Sequence, residues 1–230
     1  MIKTIYYGHS FVEIQTDFGS IIIDPFLDFE WSTSDVQDFT TKNIKAIIPT
    51  HWHEDHLGLT IDIASRTGSM IIWMAELMNY LKNNERYYNI HKMNIWWEYD
   101  FGDFKVKLVN AVHSWRMPDG SYCQPCGVII KIWDKTIYHA GDTALTYDMK
   151  LLGEYENIDL AFLPIWDNYT MWTKDAVIAT GFIKPKVVIP IHYNSMNVIM
   201  TDPSEFARQV MAWNLATPKV LNPWQEFILQ

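Results

Sequence analysis

The chain has 230 residues, 49% of them hydrophobic and 20% charged, enough for one large domain or two small ones with a substantial core. A net charge of −9 excludes the broad basic face that non-specific nucleic-acid binding needs. Two cysteines, Cys123 and Cys126, are too few for a disulfide scaffold or a four-cysteine zinc ribbon, and no apolar run reaches transmembrane length.

From Met1 to Ile23 the pattern predicts three strands, carried by Ile5 and Tyr7, by Phe11, Val12 and Ile14, and by Ile21 to Ile23. Gly8 and the turn Asp17-Phe18-Gly19 separate them, and Asp24-Pro25 ends the third. Residues 27–43 show no clean period and read as a long loop lying over a site. Ile44 to Pro49 reads as a buried strand, and Leu57 to Arg66 as a helix start with apolar Leu57, Ile61 and Ala64. A strand from Met70 to Trp73, a short helix from Glu76 to Lys82 and a polar stretch over 83–92 follow. Asn94 to Tyr99 and Phe104 to Val112 make a hairpin, then a loop spans 115–126. Two strands, Gly127 to Trp133 and Thr136 to His139, flank a turn at Asp134-Lys135. Helices are expected over Thr146–Leu152, Thr173–Ile183 and Pro203–Trp213. Strands are expected over Asp159–Ile165, Lys186–Ile191 and Lys219–Leu229. No composition break, linker or short repeat appears, so residues 1–230 read as one domain. The start Met1-Ile2-Lys3-Thr4-Ile5 lacks the sections of a signal peptide, so a cytoplasmic protein with no membrane association is expected.

The densest chemistry lies in Thr50-His51-Trp52-His53-Glu54-Asp55-His56-Leu57-Gly58, between the buried strand and the helix start. Imidazole and carboxylate are ligands for zinc and related divalent metals, and four such side chains at one turn point to a metal site. His113, Asp142 and His192 each stand where an apolar strand stops, the place where α/β folds present ligand groups. Alone, His113 and His192 read as satisfied core histidines and Asp142 as a turn former after Gly141; their place in the ordered set changes that. Seven ligands divide naturally between two metals sharing one carboxylate.

His51-Trp52-His53-Glu54-Asp55-His56 resembles the HxHxDH signature of the metallo-β-lactamase superfamily, with His113, Gly141-Asp142-Thr143 and His192 in its order and near its spacing. Tyr7-Gly8-His9-Ser10, Ile23-Asp24-Pro25-Phe26, Tyr138 to Thr143 and Pro190 to Asn194 resemble blocks of its small metal-dependent hydrolases, relatives of L-ascorbate-6-phosphate lactonase. The resemblance covers nearly the whole chain. It implies a four-layer αβ/βα sandwich, an α/β fold with the metal site at one edge. His51, His53 and His113 would hold one metal, Asp55, His56 and His192 the second, and Asp142 would bridge them. A hydroxide between two divalent ions would attack an ester, lactone or phosphodiester. Zinc is the first expectation, with manganese, iron or nickel as alternatives. Asp55 would also steer the hydroxide or protonate the leaving group. Asp24 would orient a ligand histidine from behind.

His9 either faces the site or makes a structural hydrogen bond, and His139 packs or supports Asp142. Asn168 sits after a strand end, where it lines the pocket or packs a loop. Members of the resembled group carry glycine where this chain has Trp166, Trp172 and Trp224, so a reshaped loop is expected, with Trp166 or Trp172 narrowing the pocket or stacking on substrate. Cys123 and Cys126 read as ordinary buried or loop thiols. The expected partner is a small-molecule substrate; a homo-oligomer is compatible with the composition. Two other readings compete. Di-iron redox members of the superfamily carry a carboxylate at the position of His53 and an attached flavin domain, which this chain does not match. A non-catalytic metal-binding protein has no need for all seven ligands.

Overall fold

A computed structural model of the chain describes residues 1–27, 37–77, 87, 89–114, 120, 122–195 and 200–230. They form a mixed α/β fold of two compact units, one made of Met1–Ile95, Trp115–Gln124 and Pro223–Gln230, the other of Trp96–Ser114 and Pro125–Asn222. Among the described residues no helix is long and apolar enough to cross a membrane.

The first unit is built on seven strands: β1 (Ile2–Gly8), β2 (Phe11–Gln15), β3 (Ser20–Ile23), β4 (Ile44–Ile48), β5 (Met70–Met74), β6 (Ile90–Met93) and β14 (Gln225–Leu229). Their order is β14-β1-β2-β3-β4-β5-β6. Pairing is antiparallel from β14 to β3 and parallel from β3 to β6. The change follows from connection length. A tight turn joins β2 to β3, with Thr16 N donating to Gly19 O at 3.0 Å, whereas a long excursion separates β3 from β4 and permits a parallel return. The apolar runs of β3 and β4, Ile21 to Ile23 and Ala46 to Ile48, are wholly buried, as strands covered on both faces require. Among the described residues, helices α1 (Gln37–Thr40), α2 (Glu54–Leu57) and α3 (Thr60–Thr67) also belong to this unit.

The second unit repeats the plan. β7 (Glu98–Asp100), β8 (Lys105–Asn110), β9 (Cys126–Ile132), β10 (Lys135–His139), β11 (Leu160–Pro164), β12 (Val187–Ile191) and β13 (Thr217–Pro218) lie side by side in chain order. The first four are antiparallel and the last four parallel, with β10 common to both sets. Helices α4 (Asp148–Tyr155), α5 (Thr173–Ile183) and α6 (Pro203–Ala212) belong to this unit. Its core joins Val109, Ile129 and Tyr138 of the sheet to Val177 of α5 and Phe206 of α6. Asp202 caps α6, accepting from Ser204 N at 2.8 Å, with Pro203 in the first turn.

Several boundaries differ from expectation. The helix expected from Leu57 is two short helices broken at Gly58, and the first of them carries Asp55 and His56. Of the strand expected over Lys219–Leu229, only Gln225–Leu229 is strand, as β14 of the first unit; β13 of the second unit precedes the expected run. Ile90–Met93, overlapping the end of the stretch expected to be polar, forms β6 by pairing with β5, and the hairpin's first strand is only β7. Of the helix expected over Glu76–Lys82, a 3-10 turn at Ala75–Leu77 is seen, and residues 78–82 lie outside the described residues. The loop expected over 27–43 contains α1, while 28–36 lie outside. Of the loop expected over 115–126, residues 115–119 and 121 also lie outside. Both thiols are buried, and Cys126 opens β9.

One buried charge cluster has no signal in the local sequence. The Glu13 carboxylate accepts from Ser20 Oγ at 2.6 Å, Gln15 Nε2 at 3.0 Å, Tyr7 Oη at 2.5 Å and Lys42 Nζ at 2.5 Å. Burial works against its charge, but the bonds from Lys42, Ser20 and Tyr7 prevail and hold it below the usual carboxylate range. The folded value is the lower one, so the stabilisation is complete above the unfolded value of 4.5 and drains away as pH falls below it. Urea unfolding of metal-free protein across about pH 3 to pH 6 is expected to show a steeper acid loss in the wild type than in Glu13→Gln. Equal slopes would remove Glu13 from the acid response.

Candidate metal centre

In the first unit the polar residues cluster where strands end. His9 follows β1, Asp24 follows β3, and Thr50 to His56 follow β4. Asp24 is fully buried. Its Oδ1 accepts from Thr50 N at 2.6 Å, and its Oδ2 accepts from Thr50 Oγ1 at 2.8 Å and from His56 Nδ1 at 2.7 Å. The single Thr50 hydroxyl proton goes to this carboxylate, so Thr50 Oγ1 accepts from His51 Nδ1, 3.0 Å away. One carboxylate thereby sets the tautomers of two histidines, His56 directly and His51 through Thr50. Both keep a lone pair on Nε2, the state a metal ligand requires.

Those nitrogens face further donors. His51 Nε2 lies 2.9 Å from His53 Nδ1, and His56 Nε2 lies 3.9 Å from Asp55 Oδ2. His9 Nε2 lies 3.1 Å from the same Asp55 oxygen. One ligand atom from each of His9, Asp55 and His56 falls within 4.8 Å of the others. Imidazoles with fixed lone pairs, backed by a buried carboxylate and beside a second one, suit zinc and related divalent ions.

The backbone is strained to reach this arrangement. His9 and Asp24 hold φ of 52° and 48°, left-handed values that cost a non-glycine residue on the order of 1–3 kcal/mol. Gly58, at φ 39° and ψ −121°, ends α2 with its N–H on Glu54 O. A Cβ there would stand 2.3 Å from Pro25 O, the carbonyl that accepts from Leu59 N at 2.7 Å. Glycine thus seats the helix bearing Asp55 and His56 directly on the segment after Asp24.

The second unit presents three further groups. His113 follows β8, Asp142 follows β10, and His192 follows β12 with φ 57°. Val112 N donates to Thr143 Oγ1 at 3.0 Å, and Ala144 N donates to Val112 O at 2.9 Å, stapling the strand end before His113 to the turn carrying Asp142. Gly141 N donates to the buried His139 Nδ1 at 3.1 Å, which shapes that turn from below. His113 Nε2 and His192 Nε2 both approach Asp142 Oδ2, at 3.5 and 3.1 Å. The Trp166 ring lies against His192, centroids 4.9 Å apart and tilted 37°.

Of the tryptophans at expected glycine positions, Trp166 and Trp172 take ordinary negative φ values of −95° and −62°. Trp224 takes φ 71°, held by its N–H on Tyr6 O at 2.6 Å and by an edge contact of its ring with Tyr7. Trp166 is buried, whereas Asn168 and Trp172 are exposed. Thr50 and Gly58 went unread as functional positions. Threonine directly before a candidate ligand histidine, and glycine directly after the cluster, are the signals that mark them.

A fold of two mixed sheets with histidines and carboxylates gathered at strand ends defines a class of metal-binding α/β proteins. The chain belongs to the β-lactamase superfamily, whose domain model matches residues 20–193, and within it to a group of metal-dependent hydrolases. It is 40% identical over 221 residues to a UPF0173 metal-dependent hydrolase of Anoxybacillus flavithermus (strain DSM 21510 / WK1), covering 91% of this chain and 93% of that one. It is 42% identical over 216 residues to the UPF0173 metal-dependent hydrolase YtkL of Bacillus subtilis (strain 168), covering 90% and 92%. Among solved structures, Igni18, a metallo hydrolase from Ignicoccus hospitalis KIN4/I, superposes with a TM-score of 0.89 at 32% identity, covering 100% of this chain and 99% of that one.

Two substitutions probe the local design. Asp24→Asn replaces an acceptor with an amide that turns an N–H toward Thr50 or His56. Metal affinity, read by competition with a chromophoric chelator, is expected to fall about 10–100-fold. Gly58→Ala is expected to destabilise the fold by about 3 kcal/mol or more in urea unfolding, from the forbidden φ and the clash with Pro25.

Proposed function

We propose that the two units work as one catalytic domain and hydrolyse a small ester, lactone or phosphodiester with two divalent metal ions, zinc foremost and manganese, iron or nickel as alternatives. His51, His53 and His113 are assigned to one ion, Asp55, His56 and His192 to the other, and Asp142 to both. The observation that supports this most directly is the approach of His113 and His192 to the same oxygen of Asp142. Ions held by these groups would supply Lewis acidity and lower the pKa of a bound water to about 7.

The chain's own residues have distinct tasks. Asp24 and Thr50 keep His51 and His56 in the ligand tautomer. Asp55, with its side chain 22% exposed, can reach solvent and is assigned to deliver a proton to the leaving oxygen. The buried Trp166 ring shields one face of His192 from water. Tyr193 is no base, because burial pushes its hydroxyl up to about 12 and it donates to Leu221 O.

Metal analysis of purified protein supplied with zinc or manganese is expected to find about two equivalents per chain. Less than one equivalent would overturn the proposal. On a panel of phosphodiesters, lactones and esters run with each metal, Asp142→Ala and His113→Ala are expected to lower turnover at least about 100-fold. Full activity in both variants would remove these residues from the centre.

A further inference from the structure

His9 lies outside the seven assigned ligands, yet it is bound to one of them. Its Nε2 lies 3.1 Å from Asp55 Oδ2 across 46 positions of sequence. We infer that His9 is a positioning residue that donates its Nε2 proton to Asp55 and so fixes where that carboxylate points. This rests on the reading of Asp55 as a metal ligand.

The two partners differ in rigidity. The His9 side chain is fully buried, whereas that of Asp55 is 22% exposed. His9 follows a strand whose register with β2 shifts between Tyr6 and Gly8, an irregularity of the kind that re-aims a side chain. Its carbonyl accepts from Tyr6 Oη at 3.1 Å, and its backbone is held at φ 52°. Phe26 and His56 flank its ring, with centroids 5.8 and 5.5 Å away. Asp55 sits on the four-residue helix α2, whose N-cap makes no side-chain hydrogen bond. A short helix leaves a carboxylate free to choose among rotamers. A rigid donor from the turn between β1 and β2 removes that freedom before a metal arrives.

The arrangement complements that around Asp24. There a carboxylate fixes histidines; here a histidine fixes a carboxylate. Support of this kind alters ligand affinity without itself touching the ion.

The test is a double-mutant cycle read by zinc affinity, using chelator competition, with melting of the metal-free proteins as a check on folding. His9→Ala is expected to weaken the zinc assigned to Asp55 about 10–100-fold and to leave the other unchanged. His9→Gln, which keeps an amide donor at similar reach, is expected to recover most of the loss. In an Asp55→Asn background, His9→Ala is expected to add little. Full zinc affinity in His9→Ala, while Asp55→Asn loses it, would overturn this inference alone. So would an undiminished loss in the Asp55→Asn background, because His9 would then bind metal itself. Full affinity in Asp55→Asn would overturn both the reading of Asp55 and this inference.

Discussion

The buried Asp24 carboxylate is the constraint on which the first unit's cluster of candidate ligands depends. An unpaired anion at that depth would cost several kcal/mol, and the structure offsets this with Thr50 N, Thr50 Oγ1 and His56 Nδ1. Those donors become available only because β3 and β4 are parallel neighbours in one register, with Ile23 opposite Ile48. A slip of one residue would turn Thr50 and the following histidines to the other face of the sheet. Strand pairing, tautomer choice and ligand geometry are therefore one event. The left-handed backbone at Asp24 is the strain that this event tolerates.

The second unit uses the same frame for a different end. Each sheet has four antiparallel strands followed by three parallel additions, and each switches mode at its fourth strand, β3 in one and β10 in the other. A histidine follows the second strand of each sheet, His9 after β1 and His113 after β8. An aspartate follows the fourth, Asp24 in the first unit and Asp142 in the second. The chemistry around the two aspartates differs. Asp24 is closed in by hydrogen bonds from its own unit and serves as support, while Asp142 meets two imidazole nitrogens at one oxygen and is assigned to ligate. After the fifth strand the units diverge again. The first supplies the histidine cluster after β4; the second supplies Trp166 after β11.

Contiguous features were the legible ones. The run from His51 to His56 could be picked out as one cluster of candidate ligands, and the buried strand before it and the strand ends preceding His113, Asp142 and His192 could be read as well. What escaped reading depends on distant pairings. Glu13 looks like an ordinary polar strand residue until Lys42, 29 positions away, lies against it. Ile90-His91-Lys92-Met93 shows no alternation that marks a strand and becomes one beside β5. The final strand is confined to Gln225–Leu229, the residues that find a partner in β1 at the far end of the sequence. Trp224 adopts a backbone that tryptophan disfavours because its N–H and ring are both held by the first strand.

Burial divides the candidate ligands into two kinds within each unit. His51 and His56 are buried, and His53 and Asp55 are partly exposed; His192 is buried, and His113 is partly exposed. The buried members have their rings set by fixed neighbours, Thr50, Asp24 and Trp166 respectively. A dry, pre-oriented nitrogen suits a permanent ligand, because reorganising it would expose strain and an unmet polar group. A partly exposed carboxylate suits proton exchange with solvent between turnovers, and in the first unit Asp55 is the partly exposed aspartate of the cluster. The proton delivery proposed for Asp55 would require it to be accessible and yet fixed. Accessibility comes from its place at the start of a short surface helix, and fixity has to come from outside that helix. His9 is the buried group in position to supply it.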